Sequence, residues 1–221
     1  MATSYKTPGV YVEEISKLPP SVAQVETAIP AFIGYTQKVT YNGLSLVGKP
    51  TRIKSLMEYE ELFGLPPETT YGISISTVDG KDQLTADVTA SALNFRMYFA
   101  LQLYFSNGGG PCYITAIESY ANVGATSAAK LIHMQSGLAA VRKEDEPTIL
   151  LFPDAPSMAE DQFYQIYQDA LKQSAELMDR VVVIDLLNTG SEKFSAKAGT
   201  FRDKIGNNYL SYGAAYYPSL T

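Results

Sequence analysis

The sequence predicts an α/β fold: a mostly parallel sheet flanked by helices, with an extended N-terminal strand arm and a small β-rich insertion. Three observations carry this. Residues 92–105 are good helix formers with apolar residues on every side, interrupted only by Asn94, Arg96 and Gln102, and they lead through Asn107-Gly108 into the β-branched run Tyr113 to Ile117. From Thr148 to Tyr217, apolar runs alternate with helical patterns in the order strand, helix, strand, helix, strand, which right-handed crossovers turn into a parallel sheet. Val181 to Ile184 is apolar on both faces, as a strand buried in such a sheet requires.

Taken from the N-terminus, Tyr5 to Ile15 is strand-like after Pro8-Gly9. Val10 and Val12 face one side, Tyr11 and Glu13 the other, and Glu14 and Ile15 close it. Leu18-Pro19-Pro20 detaches this strand as a stiff linker, so residues 1–20 form an arm. A detached strand must pair its backbone with a sheet edge, in its own body or in a neighbouring molecule, and the pattern alone favours its own.

Residues 21–91 read as a β-rich part. Ala28 to Thr36 is its first strand, with Gly34 allowing close backbone approach, Tyr41 to Lys49 a small hairpin, and Pro50 to Lys54 an edge-like strand. Ser55 and Glu58 form a capping box for a short helix ending at Gly64. Leu65 to Ser91 is a long surface excursion with a hairpin near Asp79-Gly80.

Residues 92–221 are the α/β core. Its opening helix, about 21 Å long, is too short to cross a bilayer and contains Arg96, so it belongs in a protein interior. A helix is expected over 128–142, a strand over 148–152, and a second capping box at Ser157 and Glu160. The helix begun there places Phe163, Ile166, Tyr167, Ala170, Leu171, Ser174, Leu177 and Met178 on one face. A strand over 180–185, a helix from Phe194 to Gly206 and a strand from Tyr209 to Tyr217 complete the chain.

Composition removes several functions. Net charge is −6 with no basic patch, which argues against nucleic acid and anionic membrane as partners, and the shortness of the 92–105 helix argues against direct membrane insertion. The single cysteine, Cys112, cannot form an internal disulfide, and the single histidine, His133, is not spaced to share a metal with it. Zinc, iron–sulfur and Cys–His catalytic schemes are therefore not expected. No apolar leader follows Met1, so a reducing compartment is expected. Sixteen tyrosines without a tryptophan suit extensive contact surfaces.

Two chemical readings need weighing. Gly108-Gly-Gly110 follows a helix and precedes a strand, the reverse of a phosphate cradle, so it is a tight connection. Asp154 follows one predicted strand and Asp185 ends the next, so both could line a crevice and hold a divalent cation in a hydrolase-like or metal-binding enzyme. An Asx-turn in Pro153-Asp-Ala-Pro156 and a strand terminus explain the same two residues without catalysis, and no nucleophile or base pattern accompanies them.

Six segments in order resemble the contractile tail sheath protein family of phage tails, tailocins and phage-tail-like extracellular injection systems. They are residues 5–15 (Tyr-Lys-Thr-Pro-Gly-Val-Tyr-Val-Glu-Glu-Ile), 27–36, 53–64, 104–114 (with Phe-Ser-Asn-Gly-Gly-Gly-Pro), 147–155 and 214–218 (Ala-Ala-Tyr-Tyr-Pro). The resemblance implies a structural subunit and no enzyme, with no cofactor and no metal site. It would polymerise with itself as stacked rings around an inner tube protein, meet baseplate or cap proteins, and contract to drive the tube through a target membrane. It would be assembled in a bacterial cytoplasm as part of a virion tail or a released particle. Val10, Tyr11, Val12, Glu13, Glu14 and Ile15 would be the strand lent to a neighbouring subunit, reversing the preference above, with Leu18, Pro19 and Pro20 as the hinge. A non-polymerising baseplate or cap adaptor is the other structural reading. Sheath proteins resembling this one continue beyond the 214–218 segment, so a fragment of a longer product or a shortened relative is expected.

Overall fold

A computed structural model describes residues 28–68, 71–78, 80–88, 94–124, 126–187 and 194–217. In chain order the elements are β1 (Pro30–Thr36), β2 (Thr40–Tyr41), β3 (Leu44–Ser45), β4 (Thr51–Ile53), α1 (Leu56–Phe63), β5 (Tyr71–Val78), β6 (Lys81–Val88), α2 (Met97–Ser106), β7 (Cys112–Ser119), α3 (Ser127–Val141), β8 (Ile149–Leu151), α4 (Glu160–Leu177), β9 (Val181–Asp185), α5 (Phe194–Ile205) and β10 (Gly213–Tyr216).

The expected α/β class is the one adopted. Six strands form one sheet in the order β10-β9-β8-β1-β7-β4, parallel throughout except that β4 runs antiparallel to β7 at one edge. The sheet joins residues on both sides of position 91, because β1 is central and β4 pairs with β7. Two small antiparallel pairs stand apart, β2 with β3 around Asn42-Gly43, and β5 with β6, between which Gly80 takes φ +71°; Asp79 of the expected turn lies outside the described residues.

Period-two alternation divides the core. Ala31, Ile33 and Tyr35 of β1 and Tyr113 and Ile117 of β7 point toward α3 and α4, while Phe32, Cys112, Ile114 and Ala116 point toward α1 and α2. Each of the buried isoleucine and phenylalanine side chains contributes about 1.5–3 kcal/mol, and the alanines less. The helices α3, α4 and α5 follow β7, β8 and β9 on one face, and α1 and α2 cover the other over β1, β7 and β4.

Local signals hold where they act over a few residues. Ser55 accepts from the Glu58 N–H at 3.2 Å, and the Glu58 carboxylate reaches back to the Lys54 N–H at 2.8 Å. Gly108 at φ +83° stops α2, as the sequence indicated.

Five expectations are corrected. Ser157 does not cap α4. Its carbonyl and hydroxyl take the Lys130 ammonium, the N-cap position is Ala159, and the Ser127 hydroxyl accepts from the Ala159 N–H at 2.9 Å. The helix α2 is not enclosed on all sides, for Phe99 and Leu103 are about half exposed. The two faces of β9 are not equally buried, since Val182 and Ile184 are buried while Val183 is half-buried and Val181 exposed. The predicted last strand is shortened to β10, with Leu210–Tyr212 wound into a 3-10 turn and Tyr209 left-handed before it; Met178 likewise leaves the α4 face in a left-handed C-cap.

Gly137 sets how closely α3 lies on the sheet. A Cβ there would stand 2.6 Å from the Cγ2 atoms of both Ile33 and Ile117. Helix propensity alone would make Gly137→Ala stabilising by about 1 kcal/mol. The packing reverses the sign: Gly137→Ala is expected to lower stability by about 1–3 kcal/mol, read as a lower urea midpoint at unchanged m-value.

Candidate functional site

In open α/β sheets ligands bind beyond strand C-termini, where the strand order reverses. Here β1 leads to β7 on one side and the chain then crosses to β8 on the other, so that point lies between β1 and β8. Asp154, just past β8, occupies it and is fully buried.

Both oxygens of Asp154 are committed. Oδ2 accepts from the Tyr35 N–H at 2.8 Å, and Oδ1 accepts from the Arg96 N–H at 2.5 Å and the Met97 N–H at 3.1 Å. The carboxyl thus ties the end of β1 to the N-terminus of α2, whose free N–H groups and dipole favour an anion. The expected Asx-turn is absent, because Asp154 makes no side-chain bond within its own 3-10 turn, Ala155–Ser157. Gly34 makes the approach feasible, since a Cβ at that position would stand 2.5 Å from Asp154 Oδ2 and 2.7 Å from Met97 Sδ. Burial pushes the Asp154 carboxyl up to about 6, against the opposing pull of its three N–H donors and of Arg96.

Tyrosines surround this carboxyl. Tyr35 meets His133 Nδ1 through its hydroxyl at 3.3 Å, and burial raises Tyr35, Tyr59 and Tyr120, each further raised by the Asp154 charge. Lys130, on the α3 side, is lowered by burial and partly restored by Asp154. Asp185 ends β9 with its side chain exposed; partial burial pushes its carboxyl up and Arg96 draws it down. The two aspartates therefore share the field of Arg96, but Asp154 faces backbone N–H groups and presents no open oxygen to solvent. Among the described residues, no three of His, Cys, Asp and Glu are grouped to hold a metal ion. Burial pushes the Cys112 thiol up to about 12, which keeps it protonated and unreactive.

The remaining candidates are surfaces. Val10, Tyr11, Val12, Glu13, Glu14 and Ile15, and the linker residues Leu18, Pro19 and Pro20, lie outside the described residues. The two sheet edges differ in character. The β4 edge carries Arg52 between Lys49-Pro50 and Lys54, charges and a proline that discourage pairing, whereas β10 is Gly-Ala-Ala-Tyr beside the exposed ring pair Phe194 and Tyr217. The hairpin of β5 and β6 is exposed along its described side chains.

No protein-family model matches the chain, and no curated protein matches it by sequence. Among solved structures, it is similar to a chain in the cryo-EM structure of the anti-feeding prophage (AFP) baseplate in contracted state. The match has a TM-score of 0.51 and 19% identity over 91% of this chain. It shows a shared fold. This chain spans 45% of the length of that one.

The Asp154 geometry fixes a pH dependence. The folded carboxyl holds its proton up to about pH 6 while an unfolded one releases it near 3.8, so the folded state binds more protons across that window. Stability is expected to fall, by on the order of 3 kcal/mol, as pH rises from about 4 to 6, and then to level. Asp154→Asn, whose amide cannot serve all three donors, should be less stable by about 1–3 kcal/mol or more and should lack this slope. Urea unfolding at several pH values tests both points, and a carboxyl titrating near 4 in the folded protein would contradict the assignment.

Proposed function

We propose that this chain is a structural subunit of a contractile, phage-tail-like particle, and within such a particle a sheath subunit. The observation that carries the reading is the fold shared over 91% of the chain with a chain of the contracted AFP baseplate. The six sheath-like segments favour the sheath in particular. In this reading the chain is no enzyme and needs no cofactor. The crevice where an α/β enzyme would seat its ligand is filled by Asp154 and its backbone partners, which supports a load-bearing role over a catalytic one.

The working parts would be interfaces. The arm strand Val10 to Ile15 adds to the sheet of a neighbouring copy, and Leu18-Pro19-Pro20 lets bodies turn while the arms stay joined. Energy is held in the assembled lattice and released as interfaces rearrange. A second reading, a baseplate subunit that does not polymerise along the tube, is favoured by the source of the matched chain, which is itself a baseplate.

Electron microscopy and quantitative mass spectrometry of particles isolated natively from the source separate the two. Striated hollow tubes with this chain in many copies per particle are expected; a fixed small number confined to one end would select the baseplate reading, and its absence from any particle would end both. Deleting residues 1–20 is expected to leave a folded body, by circular dichroism and thermal melting, while abolishing tube formation. Tubes that still form without the arm would remove strand exchange from the proposal.

A further inference from the structure

Between α3 and α4 the helix layer carries an open groove of about 370 Å³. Its wall on α3 runs from Gln135 to Arg142 and its wall on α4 from Asp169 to Glu176, two turns of each helix, or about 10 Å. Both ends are clamped across the helices. Gln135 Nε2 donates to Asp169 Oδ2 at 2.7 Å, and Arg142 Nη1 donates to Glu176 Oε2 at 2.7 Å.

The stretch between the clamps is left unsatisfied. Gln173 lines it with 6% exposure, and its Nε2 has no hydrogen-bond partner among the described residues. A buried donor in that state bears its desolvation with nothing in return, and such groups are few in folded proteins. Beside it, Lys172 is exposed and makes no ion pair or hydrogen bond among the described residues. The carboxylates of the groove are already engaged. Asp169 accepts from Gln135 on one oxygen and from Gln165 on the other, at 3.0 Å, while Glu176 holds Arg142. What remains unspent is an amide donor, an ammonium and the rest of the Arg142 fork.

We propose that this groove is a docking site for an acidic side chain of a partner protein, whose carboxylate is taken by Lys172 and Gln173. The terminal torsion of a glutamine is soft and roughly two-fold, so Nε2 turns toward an acceptor in the groove at little cost. A carboxylate brings two acceptor oxygens, and its charge-assisted bonds are about twice as strong as those of a neutral carbonyl. Sites for free small molecules enclose most of the ligand. This groove is open along its outer side, so the carboxylate arrives on a polypeptide that itself provides the cover. Net charge of −6 disfavours a polyanion such as nucleic acid, whereas a single carboxylate meets only the local donors. The clamps hold the walls in place before the partner arrives, which lowers the cost of binding. The site is separate from the arm strand Val10 to Ile15 and does not depend on the particle reading.

Carbodiimide coupling tests the assignment, because the reagent joins a lysine amine to a carboxylate in contact with it. Complexes that carry this chain are isolated natively from the source, coupled, digested and sequenced by mass spectrometry. Lys172 is expected to be amide-linked to a glutamate or aspartate of another polypeptide, in preference to the exposed Lys49 and Lys54. The isolated full chain, labelled with nitrogen-15, gives a second readout. The side-chain NH2 signals of Gln173, identified by their loss in Gln173→Met, are expected to shift on titration with acetyl-Gly-Glu-Gly-amide. The shift with acetyl-Gly-Gln-Gly-amide at equal concentration should be less than about half as large, and Lys172→Gln, at an exposed position, should abolish the preference. The proposal is overturned if Lys172 links only to Asp169 or Glu176 of its own chain, carries a small-molecule adduct, or stays unmodified while Lys49 and Lys54 react. Recovery of the chain without any partner, no shift of the Gln173 signals, or equal shifts with the two peptides would overturn it as well.

Discussion

One buried carboxyl decides how the two faces of this sheet are joined. Asp154 stands between β1, β8 and the start of α2, and each of its hydrogen bonds reaches a backbone N–H that has no partner in a regular element. Three consequences are visible around it. Gly34 must lack a side chain, α2 must begin at Met97, and the helix dipole that would otherwise attract a ligand's phosphate is answered from within. The same geometry that builds nucleotide sites on α/β sheets is here closed by the protein itself.

How much of this was legible depended on range. The Ser55 and Glu58 box and the positive-φ glycines Gly64, Gly80, Gly108 and Gly206 act within four residues, and the sequence shows them directly. The order of parallel strands was legible because connection length and crossover handedness leave few alternatives. Asp154 was visible as a residue after a strand, but its partners lie 57 to 119 positions away and are backbone groups, which no side-chain pattern reveals. Arg180 was missed for the same reason. It is almost fully buried, donates to the carbonyls of Val141 and Glu144 and to Asp179, and so finishes the C-terminal end of α3 from across the fold. Ser157 shows the converse, since a local capping pattern lost to a tertiary partner, Lys130.

Uniform apolar character was the least reliable signal. In α2 and β9 it predicted enclosure on every side, yet Phe99, Leu103 and Val181 face outward. Apolar character along an element does not say which of its side chains are covered, nor whether a cover comes from the same chain. For a chain that functions in an assembly these are different statements. The exposed side chains at α2, β9, β10 and the hairpin are then compatible with a body finished by its neighbours.

The central place of β1 has a mechanical consequence. The chain enters the body through Ile29 and passes at once into β1, which is hydrogen-bonded along both sides, to β7 and to β8, with all three strands pointing the same way. A pull directed along the axis of β1 would load both ladders together in shear. Had the entry strand lain at an edge and been pulled sideways, its bonds would have parted one after another like a zip. A tether fixed to the middle of a parallel sheet spreads tension over the whole domain, which is where a subunit that must hold its neighbours under strain would anchor it.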